Sequence, residues 1–227
     1  MTSALAIDTT SDSLSLALLR CGEPAGSHYE RCGARMNRTL LGTLDRMLRQ
    51  AGMDVPGLDV ILVARGPGSF TGTRVGLALA RSFGQITGTP LIGVDTLHLL
   101  AAQTDPGTLG ERFHALLQCT RSEIYHAPFR WRDGQPEMLQ PIALHPIDDL
   151  QSVVGNEPVV LRRHDGVHGG PHPRLEGLTR AELRHPHPDG PRLLAVGIPL
   201  YQANPRGPFP PAEPIYLKPE AFRKWKP

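Results

Sequence analysis

The run Val60-Ile61-Leu62-Val63-Ala64 followed by Gly66-Pro67-Gly68-Ser69-Phe70-Thr71-Gly72 decides the fold of this 227-residue chain. Five continuous apolar residues read as a strand buried on both faces. The glycine-rich segment reads as a loop, and a helix follows it to about Thr87. A strand, a tight loop and a helix in that order are the unit of a layered α/β protein. The loop has two readings. Backbone amides at a helix N-terminus can hold an anion. Yet the spacing matches neither GxxxxGK[ST] nor GxGxxG, and no lysine is present. The alternative is a structural loop whose glycines permit unusual backbone angles.

The helix after the loop is unusual. Val75, Leu79, Ser82, Phe83 and Ile86 form a mainly apolar face, while Gly72, Gly76, Ala80 and Gly84 recur every four residues along the next ridge. Arg74, Arg81 and Gln85 are the polar remainder. Glycine inside a helix costs about 1 kcal/mol relative to alanine. The ridge therefore implies close approach by another backbone, either within the fold or across an interface.

Outward from this unit, Ala4-Leu5-Ala6-Ile7 and Leu14–Leu19 read as a hairpin around the polar turn Asp8–Ser13. Leu40, Leu41, Leu44, Met47, Leu48 and Ala51 form the stripe of an amphipathic helix stopped by Gly52. Leu91–Val94 reads as a strand and Thr96–Gln103 as a helix. Beyond them, 113–118, 123–131 and 138–144 are expected strands, the last two joined at Asp133-Gly134. Val159–Arg162 is a further candidate strand. Leu193–Gln202 has a helical pattern, against which Pro199 argues.

Composition divides the chain. Residues 1–105 hold 4 prolines and 2 histidines, whereas 106–227 hold 19 and 8. The expected organisation is a first lobe over 1–105, a second over 106–213 and a C-terminal tail over 214–227. The net charge of +2 argues against coating nucleic acid by charge alone. Cys21, Cys32 and Cys119 form no CxxC and cannot all pair, so a secreted disulfide framework is not expected. No apolar run reaches membrane-spanning length, and the start lacks a signal-peptide pattern. A soluble cytoplasmic protein is the expectation.

Local chemistry is sparse. Asp8 ends a strand where α/β proteins bind ligands, or it caps its own turn through Thr10 or Ser11. His164, His168 and His172 repeat at four-residue spacing, but the intervening glycines and proline do not support a helix that would align them as metal ligands. No metal site is expected. Ser69 has no assigned base, there is no GxSxG, and nothing near Cys119 argues for a lowered thiol pKa. The tail carries Lys218, Arg223, Lys224, Lys226 and Trp225, readable as an RNA contact or as a docked helix with a solvated basic side.

Ala6-Ile7-Asp8-Thr9-Thr10, the run Gly66–Gly76, Gly93-Val94-Asp95-Thr96-Leu97 and Pro214-Ile215-Tyr216-Leu217-Lys218 together resemble the TsaB (YeaZ) family. The GPGSFTGxR[IV]G run is the most specific part. The resemblance is dense over 4–103, thin over 104–213, and returns at 214–218. It implies an α/β fold of the acetate and sugar kinase/Hsp70/actin class (ASKHA), with two lobes of which the second is reduced. It also implies a non-catalytic role in making threonylcarbamoyladenosine at position 37 of tRNA (t6A37). The implied partner is the transferase TsaD in a heterodimer, with TsaE in a larger complex. A homodimer is implied when the protein is alone, with tRNA engaged indirectly and no membrane.

Departures bear on activity. The HxxxH that gives TsaD its metal is missing from 34–52, and Met36 stands where relatives carry a single histidine. Gln118 replaces the aspartate of an Asp-Ala-Arg-x-x-Glu-Val-Tyr stretch. The kinase-type DxG reads Asp8-Thr9-Thr10, which makes these three residues a vestigial nucleotide site. No cofactor is expected for the chain by itself, and ATP or ADP at a TsaD interface has no support from these motifs. In the family the first two helices pair with those of the partner. This nominates Leu40, Leu44 and Met47 on one helix and Gly72, Arg74, Gly76 and Ala80 on the other, with membership of the chain's own core as the alternative. An ATP-using enzyme of the same fold and a peptidase are the competing functions.

Overall fold

The computed structural model describes residues 1–162, 175 and 189–217. The strands are β1 (Ala4–Asp8), β2 (Ser13–Arg20), β3 (Glu23–Arg31), β4 (Val60–Ala64), β5 (Leu91–Val94), β6 (Arg112–Gln118), β7 (Glu123–Arg132), β8 (Gln135–Met138), β9 (Ala143–Pro146) and β10 (Val159–Arg162). The helices are α1 (Met36–Ala51), α2 (Phe70–Thr87), α3 (Thr96–Ala101), α4 (Pro106–Leu109), α5 (Leu150–Val154) and α6 (Gly190–Ala203).

The first sheet runs β3-β2-β1-β4-β5. Strands β1, β2 and β3 are antiparallel, and β1, β4 and β5 are parallel. The second sheet runs β10-β6-β7-β8, with β9 also paired to β7. There β6 and β10 are parallel and the other pairs antiparallel. Helices α1 and α2 cover one face of the first sheet through Leu40, Leu44, Leu48 and Leu77, which meet Leu5, Ile7 and Ile61. The opposite face, Ala4, Ala6, Leu62 and Ala64, packs on Leu193, Leu194 and Val196 of α6. Helix α3 lies between the sheets: Leu99 packs with the first and Leu97 and Leu100 with the second. Helix α5 closes the far face of the second sheet through Leu150 and Val154. This layered α/β architecture is the acetate and sugar kinase/Hsp70/actin-like fold.

Local chemistry fixes the ends. Helix α1 stops at Gly52, whose φ of 60° is left-handed and whose amide caps Leu48 and Arg49 carbonyls. Asp133 and Gly134 both take positive φ, as a two-residue hairpin turn between β7 and β8 requires.

Four expectations change. β3 was not expected: it is an edge strand, largely exposed, so its sequence lacks apolar alternation. The single strand 138–144 is two strands, β8 and β9, separated by a segment containing Pro141. Helix α2 begins at Phe70, so Phe70, Thr71 and Gly72 form its first turn rather than loop. Finally, α6 runs through Pro199. Asp189 caps it, accepting from the Arg192 amide at 3.0 Å. Its apolar side is buried on the first sheet, which offsets the backbone hydrogen bond that Pro199 cannot make. The helix lies within 106–213 in sequence but packs on the sheet built from 4–94.

Candidate functional site

The turn after β1 and the start of α2 interlock. Asp8 is buried, and its Oδ1 accepts from the Thr10 amide at 2.9 Å and the Thr10 hydroxyl at 2.7 Å. The carboxylate therefore caps its own turn. The Thr9 hydroxyl donates to the Gly72 carbonyl at 2.7 Å, and the Ser69 amide donates to the Thr10 carbonyl at 2.7 Å. Ser69 caps α2: its Oγ accepts from the Gly72 amide at 3.2 Å and its carbonyl from the Thr73 amide at 2.9 Å. Three amides around the helix N-terminus are thus committed within the chain. Of the two readings of Gly66, Pro67, Gly68, Ser69, Phe70, Thr71 and Gly72, the geometry supports the structural one.

The glycine ridge also faces inward. A Cβ at Gly72 would collide with the Thr9 carbonyl oxygen, and one at Gly76 with Thr9 Oγ1, both closer than 3.0 Å. At Gly84 the neighbour is the Leu91 side chain, 3.1 Å away. The backbone that the ridge admits is the β1–β2 turn of the same chain. Leu40, Leu44, Met47, Gly72, Gly76 and Ala80 are all buried in this core. Nominating these six as partner-contacting residues is therefore corrected: the amphipathic stripe of α1 and the ridge of α2 are the faces the sheet takes, so they cannot also face a partner. Of the nominated interface set, only Arg74 is exposed.

The outward faces are different residues. On α1 they include Arg38, Leu41, Gly42 and Asp45, and on α2 Phe70, Arg74, Ala78, Ser82 and Ile86. Three large apolar side chains stand out: Leu41 is 57% exposed, Phe70 49% and Ile86 81%. The apolar stripe of α1 is one residue wider than the core uses, and Leu41 is the surplus.

The segment 209–217 straps this region. The Gly93 amide donates to the Pro210 carbonyl at 3.0 Å, and the Ile215 amide to the Arg65 carbonyl at 3.1 Å. Arg81 Nε donates to the Ala212 carbonyl at 3.0 Å and Arg74 Nε to the Tyr216 hydroxyl at 2.7 Å. The Arg74 guanidinium also lies 3.6 Å from the Phe70 ring centroid, a cation–π contact. Arg65 pairs with Asp95 at the ends of β4 and β5. The family-like residues Asp95 and Tyr216 are thus parts of the strap's anchorage. Lys218 and the basic tail to 227 lie outside the described residues, as do His164, His168, His172, His185 and His187.

Gln118 is buried, and its Nε2 donates to the Thr120 carbonyl at 3.2 Å. Burial and the nearby Cys119 raise the pKa of the Tyr125 phenol beyond its usual range. Among the described residues no group of three or more His, Cys, Asp and Glu is placed to hold a metal ion, and no helix is long and apolar enough to cross a membrane. One cluster was missed by sequence reasoning: His114, His126 and His145 converge from three strands. No local spacing could have found them, because their neighbourhood is created by strand pairing.

The sequence model of the family described as "TsaD: tRNA N6-adenosine threonylcarbamoyltransferase" matches residues 26–143, just over half of the chain. The tRNA threonylcarbamoyladenosine biosynthesis protein TsaB of Escherichia coli (strain K12) is 29% identical over 148 residues, covering 62% of this chain and 64% of that protein. The protein of the same name from Bacillus subtilis (strain 168) is 28% identical over 141 residues, covering 60% and 59%. The chain spans about three fifths of the length of these curated relatives. The structure of YeaZ from Pseudomonas aeruginosa superposes with a TM-score of 0.71 at 22% identity, covering 96% of this chain and all of that one. That likeness establishes the shared fold.

Proposed function

Because the chain belongs to the TsaB (YeaZ) family, within the wider group described by the TsaD sequence model, we propose that it is a non-catalytic subunit of the machinery that makes t6A37 in tRNA. It binds and supports the TsaD transferase, and TsaE joins in a larger cytoplasmic complex. The tRNA is held chiefly by the partner, which suits a chain of net charge +2. Alone, it pairs with a second copy through the same face. It takes no cofactor by itself, and any ATP or ADP sits at the TsaD interface.

The observation that carries this reading is the outward face of α1 and α2. Leu41, Phe70 and Ile86 are exposed on two helices that lie on one face of the first sheet, with small Gly42 and Ala78 among them. Exposed large apolar side chains with small residues on the same helices let a partner's helices approach closely. The non-catalytic part of the reading is supported by the closed Asp8–Thr10 turn. Its carboxylate and the Ser69 amide are committed to neighbours in the same chain.

The test is reconstitution of tRNA modification from purified TsaC-type enzyme, TsaD and TsaE with and without this chain. Modification should depend on it. Full activity without it removes the claim. Leu41→Arg and Ile86→Glu, separately, should weaken association with TsaD in size-exclusion chromatography while leaving the far-ultraviolet circular dichroism unchanged.

A further inference from the structure

Three imidazoles meet on the face of the second sheet that α5 covers: His114 on β6, His126 on β7 and His145 on β9. His114 Nδ1 and His126 Nε2 lie 2.7 Å apart, and their rings stack with centroids 4.9 Å apart. His145 meets His126 edge-on at 5.3 Å. His114 and His126 are buried. On the other side of the pair, His114 Nε2 is 3.0 Å from Glu157 Oε2, in the loop between α5 and β10. Arg112 Nε lies 3.2 Å from the other oxygen of that carboxylate. The cluster borders a cavity of about 570 Å³ whose remaining polar lining is Gln140, Ser152 and Asn156.

The carboxylate orders the protons. Ionised Glu157 can only accept, so His114 carries its proton on Nε2 and presents Nδ1 as an acceptor. His126 must then donate from Nε2, and its Nδ1 is the next atom to take a proton. A proton there makes a buried cation against His145, with Arg112 already in the cluster and Glu157 the one anion facing it among the described residues. A proton on His114 Nδ1 instead would oppose two N–H groups and break the imidazole pair.

We propose that Glu157, His114, His126 and His145 form a proton-responsive element that holds the α5–β10 loop to the second sheet near neutral pH and releases it on acidification. Burial, with the neighbouring His114 and His145, pushes His126 down to about 4. Burial also lowers His114, against the upward pull of Glu157. In the open state both rings regain an ordinary value near 6.5. The open state therefore takes up a proton that the closed state refuses. The holding effect is complete above about pH 6.5 and is lost as the pH falls from there towards 4. For His126 alone, opening should become roughly 20-fold more favourable between pH 7 and pH 5.

The experiment is amide hydrogen exchange on the full chain at pH 7 and pH 5, corrected for the intrinsic pH dependence of exchange. Protection over 150–162 should fall roughly 20-fold, while protection of β4 stays unchanged. In His126→Gln the side-chain amide keeps an N–H donor for His114 but cannot take up a proton, so the loss should shrink to a few-fold. An equal loss in wild type and variant overturns the proposal. If the variant does not fold, the His126 Hε1 resonance of the wild type decides. A titration midpoint below 5.5 with concurrent shifts in 150–162 supports it, and one at 6 or above overturns it.

Discussion

Replacing Gly76 with alanine should destabilise the protein by about 1–5 kcal/mol, although alanine is the better helix former. The added methyl would overlap Thr9 Oγ1, with Ile7 Cγ2 3.5 Å away. Thr9 cannot simply turn aside, because its hydroxyl donates to the Gly72 carbonyl one helical turn earlier. Overpacking of this kind costs about 1–3 kcal/mol. Leaving the hydroxyl or the carbonyl unpaired in a buried site costs about 1–3 kcal/mol more. Against these stands a helix-propensity gain of about 1 kcal/mol. Urea unfolding followed by circular dichroism measures the difference, which should shift the midpoint without changing the slope. A double-mutant cycle with Thr9→Ala sharpens it: removing the hydroxyl should recover part of the loss at position 76. It should recover little of the loss in Gly72→Ala, where the obstacle is the Thr9 carbonyl itself. A Gly76→Ala protein as stable as wild type would refute the packing argument and return the ridge to the list of open surfaces. The same reasoning governs Gly76→Arg: its failure to bind a partner would report a damaged fold rather than a lost interface.

Other outcomes follow from neighbouring features. Leu41→Arg should change stability by no more than about 0.5 kcal/mol, since the side chain is exposed, while reducing partner association at least tenfold by isothermal titration with TsaD. Arg74→Ala removes both the Phe70 contact and the Tyr216 hydrogen bond, and should cost about 1 kcal/mol. The Gly93 and Ile215 amides should then exchange faster, and unchanged exchange would mean that the strap is anchored elsewhere. Phe129→Ala should cost about 3–5 kcal/mol in urea unfolding, because the ring is fully buried and stacks on Phe113 at 5.7 Å.

What the sequence made legible is what periodicity controls. The continuous run 60–64 declares a strand because burial on both faces leaves that imprint. The alternation around 14–18 declares one that is also buried on both faces, with large Leu14, Leu16 and Leu18 in one core and small Ala17 in the other. The stripe from Leu40 to Ala51 declares a helix and its stop at Gly52. Periodicity names a packed face but not what packs on it, so the ridge Gly72-Gly76-Ala80-Gly84 was equally consistent with a partner and with the chain's own Thr9. β3 escaped because an edge strand exposed on both faces owes nothing to hydrophobic alternation. Pro199 misled because local propensity argued against a helix that tertiary burial sustains. The imidazole cluster was beyond reach, since His114, His126 and His145 become neighbours only after three strands find their register.

Helix α6 and the strap also set a timetable for folding. The face of the first sheet formed by Ala4, Ala6, Leu62 and Ala64 is covered by residues some 130 to 190 positions later in the chain. On the ribosome every strand of that sheet is complete by Val94, yet one of its two sides is covered only by Leu99 and Ala102 until Leu193 and Val196 emerge. Contacts of such long sequence separation slow folding and leave apolar surface unprotected while they are awaited. The composition that marks 1–105 as a unit is thus a statement about sequence and not about autonomy. The first sheet is begun by one end of the chain and finished by the other.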